Sequence, residues 1–151
     1  MKHLIILLII SLIFSGCYSI YDLNNFIMPD DLDFIRIIEY LDTPEKICEY
    51  MMNCFTYDLN YRKTILSPYD LWKVKKGVCG DFATFSNFLA DYHSIDSYFT
   101  LITFYEIIDG HAITIFEENG VYSYSSNLEY FNINATSIKE IINHFDNCTC
   151  Y

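Results

Sequence analysis

The chain has 151 residues, room for one domain with a real core and too few for two ordinary ones. It is 52% hydrophobic and 18% aromatic, which argues against a disordered chain and for a densely packed interior. Nine basic residues against twenty acidic ones give a net charge of −11, which argues against nucleic acid as a partner and selects no substrate.

The N-terminus reads as a delivery signal rather than as fold. Met1-Lys2-His3 is a short positive region, Leu4 to Phe14 is an apolar run too short to span a bilayer, and Ser15-Gly16-Cys17 follows. Residues 1–16 are therefore expected to be a signal peptide. The Ser15-Gly16-Cys17 end resembles the bacterial lipoprotein signal, with Phe14 where an aliphatic residue is usual. The resemblance implies cleavage before Cys17, lipid on that cysteine, and an exported protein anchored to a bacterial membrane. Residues 17–29 are polar, end at Pro29, and read as a tether; residues 30–151 are the expected domain.

Asp30 to Leu41 places Phe34, Ile37, Ile38 and Leu41 on one face of a first helix, with acids near its start. Thr43-Pro44-Glu45 opens a second helix with a cap, a first-turn proline and an early acid, and Ile47, Tyr50, Met51 and Cys54 supply its apolar face. Both read as scaffold. Residues 55–64 show no clear period. Ser67-Pro68-Tyr69-Asp70 is a capping pattern for a short helix through Leu71, Trp72 and Val74. Lys73, Lys75 and Lys76 are the one basic cluster, and read more readily as solvated charge than as a field acting on a neighbouring thiol.

Gly77-Val78-Cys79-Gly80-Asp81-Phe82-Ala83 comes next. Phe82, Phe85, Phe88, Leu89 and Tyr92 follow helical spacing, so residues 80–92 are expected to form an amphipathic helix with one buried face. Gly77 and Gly80 permit a sharp turn and close approach. Cys79 then stands at the helix N-terminus, where free N–H groups and the macrodipole favour a thiolate. The plainer reading is a buried cysteine acting as a small apolar residue.

Downstream the period changes. Tyr98 to Ile107 reads as a strand, Asp109-Gly110 as a turn, Ala112 to Phe116 as a second strand, Asn119-Gly120 as a hairpin turn and Val121 to Tyr124 as a third strand. Ser137 caps a last helix running to about Phe145. His111, at the mouth of the first hairpin, has the near-neutral pKa needed for proton exchange with a cysteine. His3, His93 and His144 lack that strand setting. Asn127, after Ser125-Ser126, is placed to orient the imidazole.

Four further cysteines, Cys48, Cys54, Cys148 and Cys150, allow a tail-to-helix disulfide without deciding it. Cys148-Thr149-Cys150 has no histidine array beside it, so neither a metal nor a cofactor is expected. Asn134-Ala135-Thr136 and Asn147-Cys148-Thr149 match a glycosylation pattern that is incidental in a bacterial lipoprotein.

Together, Ser67-Pro68 through Trp72, the Gly77 to Ala83 segment, Gly110-His111-Ala112 and Asn119-Gly120-Val121-Tyr122 resemble the transglutaminase-like superfamily, over roughly residues 50–130. The resemblance implies an α+β, papain-like core: N-terminal helices, a nucleophile helix packed on an antiparallel β-meander, and a C-terminal helix. It implies Cys79 as nucleophile and His111 as base. Counting on from Tyr122, the position where the family has an aspartate falls on Ser126 or Asn127, of which Asn127 is the expected third residue because its amide oxygen can accept from the imidazole. The Cys79 backbone N–H is an expected oxyanion donor, with Trp72 and Tyr57 as candidates for a second. The implied chemistry is acyl transfer from a peptide or protein amide through a Cys79 thioester, to water more readily than to an amine. The competing expectation is an inactive binding module on the same fold at the cell surface. A third is a disulfide-bonded structural protein with Cys79 oxidised.

Overall fold

The computed structural model describes residues 22–58, 60, 64–103 and 110–147. The expected signal peptide, Cys17, Asp109, Cys148 and Cys150 lie outside them. Among the described residues, five α-helices and two sheets follow in order: α1 Leu32–Tyr40, α2 Pro44–Cys54, β1 Thr56–Tyr57, α3 Pro68–Val74, β2 Lys76–Gly77, α4 Cys79–Tyr92, β3 Asp96–Thr103, β4 Gly110–Glu118, β5 Val121–Ser126, β6 Glu129–Ala135 and α5 Ile138–Asn147. The fold is α+β, as expected. β3 to β6 form an antiparallel meander in sequence order. No helix among the described residues is long and apolar enough to cross a membrane.

The helix starts follow their side chains. Asp31 accepts from the N–H groups of Asp33 and Phe34, Thr43 from Lys46, and Ser67 from Asp70, so each polar cap satisfies donors that lack a carbonyl one turn earlier. Pro44 and Pro68 occupy the first position of α2 and α3.

α4 differs from the expectation of one buried face. Its residues from Cys79 to Ser86 and from Phe88 to Ala90 are all buried, because it lies between two layers. Phe82, Phe85, Phe88 and Leu89 pack with Phe34, Ile38, Leu41, Ile47, Met51, Phe55 and Leu71 of the helical layer. Its opposite side carries small residues and meets the sheet: Cys79 and Ala83 contact Ala112, and Thr114 Oγ1 donates to the Ala83 carbonyl at 2.8 Å. Burying a ring such as Phe34 or Phe85 completely contributes about 1.5–3 kcal/mol, so this aromatic layer supplies much of the stability.

The far face of the sheet has its own core. Ile113, Ile115 and Tyr124 pack with Ile141 and Phe145 of α5. β4 is thus buried on both faces, which explains the apolar run Ile113-Thr114-Ile115-Phe116. The Asn119-Gly120 turn has φ of 55° and 77°, the left-handed pair that a two-residue hairpin demands.

Three features depart from the expected pattern. Leu23 and Phe26, in the expected tether, pack against the helical core, with Phe26 edge-on to Phe88 at 5.0 Å. β6 continues the meander beyond the three expected strands. Finally, β1, inside the region that showed no period, pairs in parallel with β2, Thr56 with Lys76 and Tyr57 with Gly77.

Candidate active site

The turn carrying Cys79 is held by a buried carboxylate. Asp81, 1% exposed, accepts from the Val78 N–H at 2.8 Å with one oxygen and from the Leu66 N–H at 2.7 Å with the other. The first bond closes the entrance to α4, and the second fastens the strand-like segment before α3 to it. From the other side, the Asp58 N–H donates to the Gly77 carbonyl at 2.7 Å. Gly77 serves close approach rather than an unusual φ. A Cβ there would lie 2.8 Å from Leu71 Cδ1 and 2.9 Å from Asp81 Cβ. Gly80 likewise lies under the Ile65 side chain, which a Cβ would strike.

Cys79 occupies the first helical position of α4 and is 8% exposed, packed with Ala83, Ala112 and Phe99. It is a free thiol, as are Cys48 and Cys54. The Asp81 and Phe82 N–H groups turn back to the Val78 carbonyl. Those of Cys79 and Gly80 have no carbonyl one turn earlier, the situation that makes a helix start a donor site for an anion.

His111 stands second in β4. Alternation along the strand gives Ala112 to α4 and the thiol, and gives His111 the face of Ile113 and Ile115. Its ring lies 6.2 Å from that of Phe145, and its Nε2 is 2.8 Å from Ser126 Oγ. Burial depresses its pKa below the ordinary histidine value, so the ring is neutral at pH 7. In the tautomer whose Nε2–H donates to Ser126, Nδ1 is the proton acceptor; in the other, the Ser126 hydroxyl donates to Nε2.

The expected residues are therefore brought together in part. Cys79 touches the neighbour of His111, and His111 holds Ser126, while no hydrogen bond joins Cys79 to His111 among the described residues. Asn127, the expected third residue, is next to the contact rather than in it. It adopts φ 52° in the β5–β6 turn, and its Oδ1 is buried without a hydrogen-bond partner among the described residues. The partner of the imidazole is Ser126, the alternative read from the count after Tyr122. The sequence signal that singles it out is register: Ser126 pairs with Ile113, two residues along from His111 on the same face.

The three lysines are engaged elsewhere. Lys73 is 3.7 Å from Asp31 and Lys76 is 3.3 Å from Asp58. The Lys75 ammonium donates to the Tyr50 hydroxyl at 2.9 Å and sits 4.5 Å above the Trp72 ring, half-buried, and burial lowers its pKa. Trp72 stacks on Tyr69, and Tyr57 lies against Phe82. His93 is bound to the Ile38 carbonyl. Asp81, whose position invited no functional reading in the sequence, is the residue that builds the nucleophile turn.

A family model described as a transglutaminase-like domain matches residues 31–141. The chain belongs to that family. The transglutaminase-like match takes in the nucleophile turn, the His111 strand and Ser126 together, so the four sequence segments that carried the resemblance lie in one domain. Among solved structures, one named "Putative Cysteine Protease", from Cytophaga hutchinsonii, is similar with a TM-score of 0.45 and 20% identity, over 69% of this chain and 45% of that one. This chain therefore spans less than half the length of that protein. A comparison with curated proteins finds no match.

Proposed function

We propose that this chain is an exported, cysteine-dependent acyl-transfer enzyme that hydrolyses a peptide or amide bond. Cys79 Sγ attacks the carbonyl carbon while His111 Nδ1 takes the thiol proton. The S–C bond forms, the C–N bond breaks, and the amine leaves with the proton returned by the imidazole. Water then attacks the thioester with His111 again as base, freeing the acid and the thiol. The Cys79 N–H, at the start of α4, is the proposed donor to the developing oxyanion.

One observation carries this reading: a cysteine at the first position of a buried helix, packed on the residue next to a neutral histidine that already has a hydroxyl partner. His111 and the thiol lie on opposite faces of β4, so proton transfer requires the imidazole to swing round the start of the strand to the sulfur. The test is release of amine from amide reporters by the full chain. Loss of release in both Cys79→Ala and His111→Gln supports the reading, and release that survives Cys79→Ala ends it.

The second reading is a binding module without chemistry, which the enclosed thiol and the absent Cys79–His111 hydrogen bond favour. It predicts that Cys79 reacts with iodoacetamide no faster than free N-acetylcysteine at pH 7, and that no reporter releases amine. The proposal extends to the N-terminus: Cys17 carries the lipid that holds the chain on a bacterial membrane. Incorporation of labelled fatty acid that Cys17→Ser leaves intact would remove that part alone.

A further inference from the structure

We infer that the substrate of this site presents a neutral, apolar side chain beside the scissile carbonyl, received between Leu101 and Phe99 of β3 and Ile65 of the segment before α3. The inference rests on Cys79 being the reacting group, as proposed above.

The surroundings of the sulfur are unusual in what they leave exposed. Phe99 packs on Cys79, and Leu101 pairs in register with Ala112, which touches the thiol. Strand alternation puts Phe99 and Leu101 on the same face of the sheet. Leu101 is 43% exposed although its pairing partner Ala112 is buried. On the other side of the α4 start, Ile65 is half-buried over Gly80. It is fixed there because its neighbour Leu66 donates to Asp81. An open apolar residue beside the proposed nucleophile is surface that a bound side chain would cover.

Charge supports the same class. Asp81 spends its two carboxylate oxygens on backbone N–H groups, and Lys73, Lys75 and Lys76 are held by Asp31, by Tyr50 with Trp72, and by Asp58. None of these is offered to a charged side chain of the substrate, and a chain of net charge −11 repels an anionic one.

The test uses alkylation of Cys79 in the full chain by N-alkylmaleimides of increasing length, read by peptide mass and divided by the rate of N-acetylcysteine. Each methylene that enters the cleft should raise the ratio about 2- to 4-fold, and a carboxylate-bearing maleimide should fall below the N-ethyl reagent. Leu101→Gln, a change at an exposed position, should flatten the series, and Ile65→Ala should flatten it independently. A series that is flat in the unaltered chain, or fastest with a charged reagent, overturns the inference. So does complete protection of Cys79 from every reagent, which would also remove the enzymatic reading. Alkylation needs no proton relay, so a steep series in a chain that releases no amine leaves the cleft standing and refutes only the hydrolase.

Discussion

Replacing Asp81 is the sharpest probe of how the nucleophile turn is built. Its two acceptor bonds, 2.7 and 2.8 Å long, come from backbone N–H groups in two separate segments, and the carboxylate is 1% exposed. A hydrogen bond to a charged group contributes about 1.5–3 kcal/mol, and a donor left buried without a partner costs a comparable amount. Asp81→Ala removes both bonds and opens a space beside Gly77, so a loss of about 4 kcal/mol is expected. Asp81→Asn keeps the shape but offers one acceptor oxygen in place of two, and should lose about 2 kcal/mol. With a urea slope of about 1–3 kcal/mol per molar, the asparagine variant should unfold roughly 1 M earlier. The fluorescence of the single tryptophan, Trp72, one helix away, reports the transition. Asp70→Ala is the contrast: it removes an exposed carboxylate that only receives the Ser67 hydroxyl, and exposed polar contacts of this kind contribute about 0.5 kcal/mol or less. If Asp81→Asn and Asp70→Ala unfold at the same urea concentration, Asp81 does not hold the turn.

Gly77→Ala should cost about 1–3 kcal/mol by overpacking, since its new carbon would press on Leu71 and Asp81; an unchanged urea midpoint would show that these neighbours move aside freely. At pH 8 Cys54, which is exposed, should label promptly with a thiol reagent. Cys48, whose thiol burial pushes up to about 12, should stay unlabelled until the chain unfolds, and equal native rates at the two sites would contradict the packing of α2. His111 is held below its unfolded value of about 6.5, so the unfolded chain takes up its proton first as pH falls. The stability carried by the neutral ring is present above that pH and is lost on acidification. Melting temperatures at pH 7.5 and 5 should therefore differ less in His111→Gln than in the unaltered chain. Ser126→Asp should reverse the sign, raising the imidazole pKa and adding stability at the acid end; nuclear magnetic resonance titration of the ring reads this directly.

Local signals made most of the fold legible. Thr43-Pro44 and Ser67-Pro68 fixed helix starts because a cap and a first-turn proline act within four residues. Asn119-Gly120 fixed a hairpin because few other pairs tolerate two positive φ angles. Position along the chain said less about what packs where. The spacing of Phe82, Phe85 and Phe88 describes one apolar face of α4, while its small-residue face, Cys79, Ala83 and Ser86, is buried against the sheet, with hydrogen bonds to β4 and β5 that span 31 and 39 residues. The β1–β2 pair was illegible for the same reason: two residues on each strand carry no period, and their partners are twenty residues apart. β6 was passed over because Glu129-Tyr130-Phe131-Asn132 alternates only in part, with a register shift opposite Tyr122 and Tyr124.

The site divides along the same line. Cys79 and His111 are recognisable because turn and strand-start chemistry is local, whereas the choice between Ser126 and Asn127 depends on register across β4 and β5, and a shift of one residue exchanges the faces of the sheet. That exchange has a chemical consequence. Ser126 gives the imidazole a hydroxyl, and a hydroxyl can fix its tautomer without stabilising its charged form. The carboxylate nearest the thiol in sequence, Asp81, is committed to two backbone N–H groups and so is not placed to orient the imidazole in the hydroxyl's stead. A neutral partner on the base, added to its burial, favours imidazole over imidazolium. Under the proposed reaction, the proton then moves as the carbonyl is attacked rather than beforehand, and Ser126→Asp should shift Cys79 alkylation toward a faster rate below pH 7. A rate that Ser126→Asp leaves unchanged would mean that the imidazole does not reach the sulfur at all, and would leave the binding module as the account of this domain.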